Sequence, residues 1–155
     1  MVSIAPSYLY TFAALTAVST IILCSFTTYT TTLRTVPEIG QLKNLLNHVV
    51  AKGNQLITLT ITTNSTTQVS LQMPTSIGDR KYWIRLRSDS SNAWLEGRLG
   101  EMPEETMAAF SVSFPGKTSV SGSYVGGYGP AVLECYLNGS VPQLNLHYVG
   151  GGARE

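Results

Sequence analysis

The chain has 155 residues, 12% of them charged, and a formal net charge of +1. That length leaves room for one small domain beside a membrane segment, not for two ordinary domains. The near-neutral balance removes the electrostatic basis for binding nucleic acid or an acidic membrane surface, and the many Thr and Ser residues suit a surface wetted by hydroxyls or glycans.

The first predicted element occupies residues 1–33. From Ile4 to Phe26 there is no charged side chain, and the first Lys or Arg is Arg34. A secretory signal peptide has a basic start and an apolar core of about 7–15 residues, whereas a membrane span needs about 20. The segment therefore reads as a retained transmembrane or filament-core helix. Ala13, Ala17 and Thr20 give it a narrow stretch for close helix packing, and its hydroxyls can bond back to the helix or across to a neighbour.

The second predicted element, residues 34–57, is an amphipathic helix. Pro37 and Glu38 suit a helix start, with an acid near the positive end; in a helix running straight through, Pro37 would produce a kink. Ile39, Leu42, Leu46, Val49, Gly53 and Leu56 step by three and four, an a/d seam over roughly two and a half heptads. Leu45, Val50 and Ile57 widen the seam to the stripe of a helix packed on a domain, and close approach to a sheet is a reason for Gly53. His48, among polar neighbours, reads as solvated.

Residues 58–155 form the third predicted unit, an all-β head. Alternation runs through TQVSLQM (67–73), RKYWIRLRS (80–88), AFSVSF (109–114), SVSGSYV (119–125), AVLECYL (131–137) and QLNLHYV (143–149). Val69, Leu71 and Met73 share one face of the first run, and Tyr82, Ile84 and Leu86 share one face of the second. Period-two runs bounded by turn residues are half-buried antiparallel strands. Six or seven of them at roughly ten-residue spacing predict a β-sandwich or strongly curled sheet. The expected fold class is α+β: a long hydrophobic helix, an amphipathic helix, and an antiparallel β-sandwich-like head.

Motifs for chemistry are sparse. YVGGYGPA lacks the Lys-Ser/Thr and the following helix of a phosphate loop, so a hairpin connection is expected there. Trp83, Arg85, Arg87 and Trp94 form a candidate interaction face, with Asp79, Asp89, Glu96 and Glu101 nearby to cancel much of its field and Arg stacking on Trp as its plainest use. Glu101, Glu104 and Glu105 read as a solvated loop. Cys24 and Cys135 are expected to stay unpaired, one in the span and one in the head. With His48 and His147 they give no metal-ligand spacing. No nucleophile–base arrangement appears, so neither an enzyme nor a cofactor is expected. Asn64-Ser65-Thr66 and Asn138-Gly139-Ser140 are acceptor sequons for N-glycosylation. They point to an exported head, against the positive-inside argument from Arg34, Lys43 and Lys52.

An uncharged N-terminal helix, EIGQLKNLLNHVVAKGNQL, and a β head opening on MPTSIGDRKYWIRL together resemble the archaeal type IV pilin-like and archaellin-like superfamily. Within the last stretch, Pro74, Ile77, Gly78, Tyr82 and Ile84 carry the resemblance. It implies a hydrophobic helix that anchors the chain in the membrane or forms a filament core, and that continues into an amphipathic half packed on an exported β-rich head. The chain departs from that pattern in having no basic residue ahead of the helix.

On this resemblance the expected function is a structural subunit of a cell-surface filament or envelope assembly. The stretch around Ala13, Ala17 and Thr20 and the seam from Ile39 to Leu56 would make the contacts with copies of itself, with other pilin-like or membrane subunits, and with the lipid bilayer. The alternatives are an anchored accessory module that binds an envelope protein, as at the archaellum or the surface layer, and a noncatalytic subunit of a membrane complex. Nucleic acid is not an expected partner. The expected location is the cell membrane, with a single span and an extracellular C-terminal domain.

Overall fold

The computed structural model describes residues 5–101 and 110–148, with the backbone alone described for residues 5–7 and 31–35. Helix α1 (Ala5–Thr63) contains Pro37, the last residue of the first of two compact units, Met1–Pro37 and Glu38–Glu155. In the first unit every side chain described from Tyr8 to Thr30 is exposed.

In the second unit the heptad seam becomes the helix side of a core. Leu42, Leu46, Val49, Val50, Leu56 and Ile57 are buried there, on the stripe that spacings of three and four generate. The helix runs on to Thr63 instead of giving way to strand at residue 58. Its last turns tie their hydroxyls to the helix itself, Thr62 to the Thr58 carbonyl and Thr63 to the Leu59 carbonyl, each at 2.8 Å. Asn64, at φ 50°, then turns the chain out in the left-handed conformation that ends helices.

Seven strands follow: β1 (Thr67–Leu71), β2 (Tyr82–Ser88), β3 (Ala93–Leu99), β4 (Phe110–Phe114), β5 (Ser119–Val125), β6 (Ala131–Asn138) and β7 (Val141–Tyr148). They form one sheet in the order β1-β6-β7-β5-β2-β3-β4. The fold is thus α+β as expected, and among the described residues the head is a single, mostly antiparallel sheet, the second of the two arrangements foreseen. The buried stripe of α1 supplies the layer that a second sheet would otherwise provide, so one sheet suffices to close the core. Tyr82, Ile84 and Leu86 of β2, Leu95 of β3, Leu133 of β6 and Leu144 of β7 make its sheet side.

Two further features depart from the sequence-based expectation. Not every pairing is antiparallel, because β5 lies parallel to β7 from Ser119↔Gln143 to Gly122↔Leu146. Nor is YVGGYGPA a hairpin connection. It leads from β5 to β6, and β7 lies between those two strands.

Strand β3 is also additional to the six alternating runs. Ala93, Leu95 and Leu99 do alternate with Trp94, Glu96 and Arg98, but Gly97 breaks the apolar side. The structure explains that gap: a Cβ on Gly97 would stand 3.0 Å from both the Leu46 side chain and the Trp83 carbonyl oxygen. The helix fills the space that the missing side chain leaves.

The tight connections follow local chemistry. Asp89 Oδ1 accepts from the backbone N–H groups of Ser91 and Asn92 at 2.8 and 2.6 Å, closing the turn from β2 to β3. These bonds hold the Asp89 carboxyl below its usual range. In the β6–β7 hairpin Asn138 pairs with Val141, leaving Gly139 and Ser140 as a two-residue loop with Gly139 at φ 65°, as a turn with glycine first requires.

Candidate functional site

Two surfaces carry the residues with functional potential: the apolar part of α1 and the sheet face turned away from the helix. The most apolar 18 residues within Tyr8–Thr30 have a mean hydropathy of 1.8, and 0% of them are buried. In length and composition the stretch meets the requirement for a membrane span, a test that a signal sequence near the N-terminus also passes.

The hydroxyls of this stretch are spent locally. Thr16 donates to the Phe12 carbonyl at 2.7 Å, and Thr20 to the Thr16 carbonyl at 2.8 Å. Thr27 and Thr30 donate in the same way to Leu23 and Phe26. A threonine that bonds back to its own helix presents its methyl group outward and leaves no hydroxyl hydrogen unpaired in an apolar medium. Of the two uses foreseen for these groups, the structure displays the local one. Ala13, Ala17 and Thr20 are exposed.

The other expected packing residues behave differently. Ile39 is half-buried, while Leu42, Leu46, Val49, Gly53 and Leu56 are buried against the sheet within the second unit. A Cβ on Gly53 would stand 2.7 Å from Phe114 Cε1 and 3.0 Å from Leu144 Cδ2. The seam is therefore occupied inside the chain. It is not a free surface for contacts with other subunits, because the head's thin core needs that apolar area itself.

On the outer sheet face the four residues of the expected interaction patch come together around Glu96, expected only as a neighbouring charge. The β2–β3 register sets Arg85 opposite Glu96 and Arg87 opposite Trp94. Glu96 is only 2% exposed. Its Oε1 accepts from Arg85 Nε at 2.7 Å and lies 3.4 Å from Arg87 Nε. Arg85 Nη2 approaches the same oxygen at 2.6 Å as an ion pair, outside hydrogen-bonding angles. The Arg85 guanidinium also sits 5.5 Å from the Trp83 ring centre, in cation–π range.

Trp83 is fully buried, its indole N–H without a hydrogen-bond partner among the described residues. It acts as packing beneath the arginines, and only half-buried Trp94 and the two arginines face outward. A signal for Glu96 was present in its even spacing from Trp94 and Arg98. It was illegible because β3 itself went unread.

The remaining expectations fall as follows. Asn64 and Asn138 are exposed, at the end of α1 and at the β6–β7 turn. Cys24 and Cys135 are free thiols, and burial pushes the Cys135 thiol up. His48 is exposed, Glu101 is exposed, and Glu104 and Glu105 lie outside the described residues. Among the described residues no cluster of His, Cys, Asp and Glu could hold a metal.

Tyrosines form a row that the sequence argument did not single out. Ring centres are 6.3 Å apart for Tyr82 and Tyr124, 5.2 Å for Tyr124 and Tyr148, and 5.4 Å for Tyr148 and Tyr128. The Tyr82 hydroxyl donates to the Pro74 carbonyl at 2.7 Å, and Tyr124 donates to the Gly129 carbonyl. The row thus pins the loops on both sides of it, and burial pushes the Tyr82 and Tyr124 phenols up. Compared with known proteins, the chain matches no family model, no curated protein and no solved structure.

Proposed function

We propose that this chain is a pilin-like structural subunit of the cell surface, held in the membrane by the apolar part of α1 and passing into a filament core on assembly. The observation that carries this reading is the stretch Tyr8–Thr30, apolar and exposed at every described side chain. Burying such a surface in lipid or among copies of itself contributes about 25 cal/mol for each Å² removed from water. The threonines bonded back to the helix support it, since they make the stretch compatible with either apolar setting. The head adds the second half of the pilin-like plan, an amphipathic helix packed on a β-rich domain. In this reading the head is exported, with Asn64 and Asn138 as glycan acceptors, and the chain catalyses no reaction.

The test combines membrane fractionation, the mass of the mature N-terminus and electron microscopy of cells expressing the chain. Membrane-embedded subunits that enter surface filaments are the expected result. A detergent-extracted chain that stays strictly monomeric, and whose Ala17→Arg variant alters insertion alone, would sink the filament part.

A second reading, an anchored module that grips an envelope protein, draws on the outward-facing Trp94, Arg85 and Arg87 around Glu96. Capture of one specific envelope partner that is lost on Trp94→Ala, without self-polymer, would favour it.

A further inference from the structure

The two edges of the sheet are alike in an unusual way. β1, sequence TQVSL, and β4, sequence FSVSF, close the strand order at opposite ends. Each has five residues and the same alternation of burial, with half-buried or buried side chains on the helix-facing side and exposed polar ones on the other. Soluble proteins protect free edges with Lys, Pro, inward charges or bulges. Neither of these strands contains a charged residue or a proline.

Strand directions then decide which edges can meet. Going across the sheet from β1 to β4, five pairings are antiparallel and one, β7 with β5, is parallel. An odd number of reversals leaves β1 and β4 running in opposite directions. If a second copy is placed alongside by translation, its β4 therefore meets β1 antiparallel. The helix-covered faces lie on the same side, and the α1 stretch of the second unit runs the same way in both copies. A two-fold pairing of β1 with β1 would reverse the α1 stretch of the second unit between copies and would close after two; the choice of the propagating pairing rests on the filament function proposed above.

The surface beside β1 fits such a neighbour. A cavity of about 240 Å³ lies between the edge and the helix, lined by Lys52, Gln55, Leu56, Leu59, Gln68 and Val69. Leu59 beside it is 50% exposed. The opposite edge offers Phe110 and Val112, half-buried on the helix-facing side. Lys43 lies 4.9 Å from the Phe110 ring centre.

We propose that heads of successive copies join edge to edge, β4 of one chain adding antiparallel to β1 of the next. The contact is heterologous and leaves a free β1 and a free β4 at the two ends, so it propagates instead of closing. Sheet twist turns the translation into a helical repeat. Backbone hydrogen bonds supply the attraction, and the parity of the side chains sets the register.

The test uses the full chain in detergent micelles with Cys24→Ser. Ser70→Cys chains are mixed with Ser111→Cys or Ser113→Cys chains and oxidised gently. The expected result is a disulfide between unlike chains, at least fivefold over like-chain disulfides. Carrying Lys on both edges, Ser70→Lys with Ser113→Lys, should lower oligomer content severalfold, and Ser70→Lys with Ser113→Glu should restore it. Predominant Ser70→Cys homodimers would overturn the proposal in favour of a two-fold pair, and absence of disulfide would overturn it outright. Particle mass reports association through α1 separately: large particles without disulfide leave the function standing and remove only the edge pairing.

Discussion

Gly53 of the helix faces Phe114 of the edge strand β4 so closely that a Cβ would stand 2.7 Å from the ring. The helix is set on the sheet at a distance that only a glycine at this position allows. Gly53→Ala gains about 1 kcal/mol of helix propensity but forces an overpacked contact that costs about 1–3 kcal/mol. A net loss of stability is expected, with the unfolding midpoint of the solubilised chain falling in urea. The double variant with Phe114→Leu should recover part of it. An unchanged or raised midpoint for Gly53→Ala would show that the interface relaxes freely.

Leu46 belongs to the same interface, fully buried and touching the space above Gly97. Leu46→Ala opens a cavity there and should cost about 2–5 kcal/mol, read as a lower denaturation midpoint. A loss below about 1 kcal/mol would mean that the helix stripe contributes little to the core.

Glu96 pairs with two guanidiniums on the outer face. Glu96→Gln leaves Arg85 facing an uncharged partner in a site only partly open to water, and breaking a buried pair from one side costs about 3–5 kcal/mol. Partial exposure of the arginines draws the expected value to about 2 kcal/mol. Arg87→Ala, which leaves the Arg85 bond in place, should cost distinctly less. Chemical denaturation of the two variants checks the order, and equal losses would contradict it.

The tyrosine row predicts alkaline sensitivity. Burial, then the neighbouring Tyr124, raises the Tyr82 phenol, and burial, then Tyr148, raises Tyr124. The folded state therefore holds these protons more tightly than the unfolded chain does. Their contribution is complete below the ordinary tyrosine value of about 10 and is lost as pH rises beyond it. Cys135 acts with the same sign from about pH 8.5. Midpoints measured across this range should fall with rising pH, and less steeply in Tyr82→Phe. An identical slope in that variant would exclude Tyr82 as a source.

In the apolar stretch, Thr20 donates to the Thr16 carbonyl within its own helix. Thr20→Val should therefore leave membrane insertion and particle mass unchanged. Ala17→Arg places a charge in the same region at about 2.5–3.5 kcal/mol for insertion and should reduce membrane recovery. Loss of association in Thr20→Val would assign its hydroxyl a bond to another helix.

Much of the plan is legible in residues 4–57. An uncharged run long enough to span a bilayer, followed by Leu42, Leu46, Val49 and Leu56 at helical spacing, already requires one helix with an apolar half and a one-sided half. Alternation likewise locates β1, β2 and β4 to β7, because side-chain direction along a strand is a local property. These assignments need only covalent geometry and the avoidance of buried polar groups.

What lies beyond local periodicity was settled by packing. Whether the seam of α1 meets other subunits or its own sheet depends on what closes the head's core, and a single sheet leaves that task to the helix. Gly97 hid β3, since its missing side chain has meaning only where Leu46 descends from the helix. Strand order, the parallel β5–β7 pair and the burial of Glu96 between two arginines join residues distant in the chain. Their spacing carries no record of those partners. Sequence alone determined the elements and their faces; the tertiary structure decided which faces were used internally and which two strands ended the sheet among the described residues.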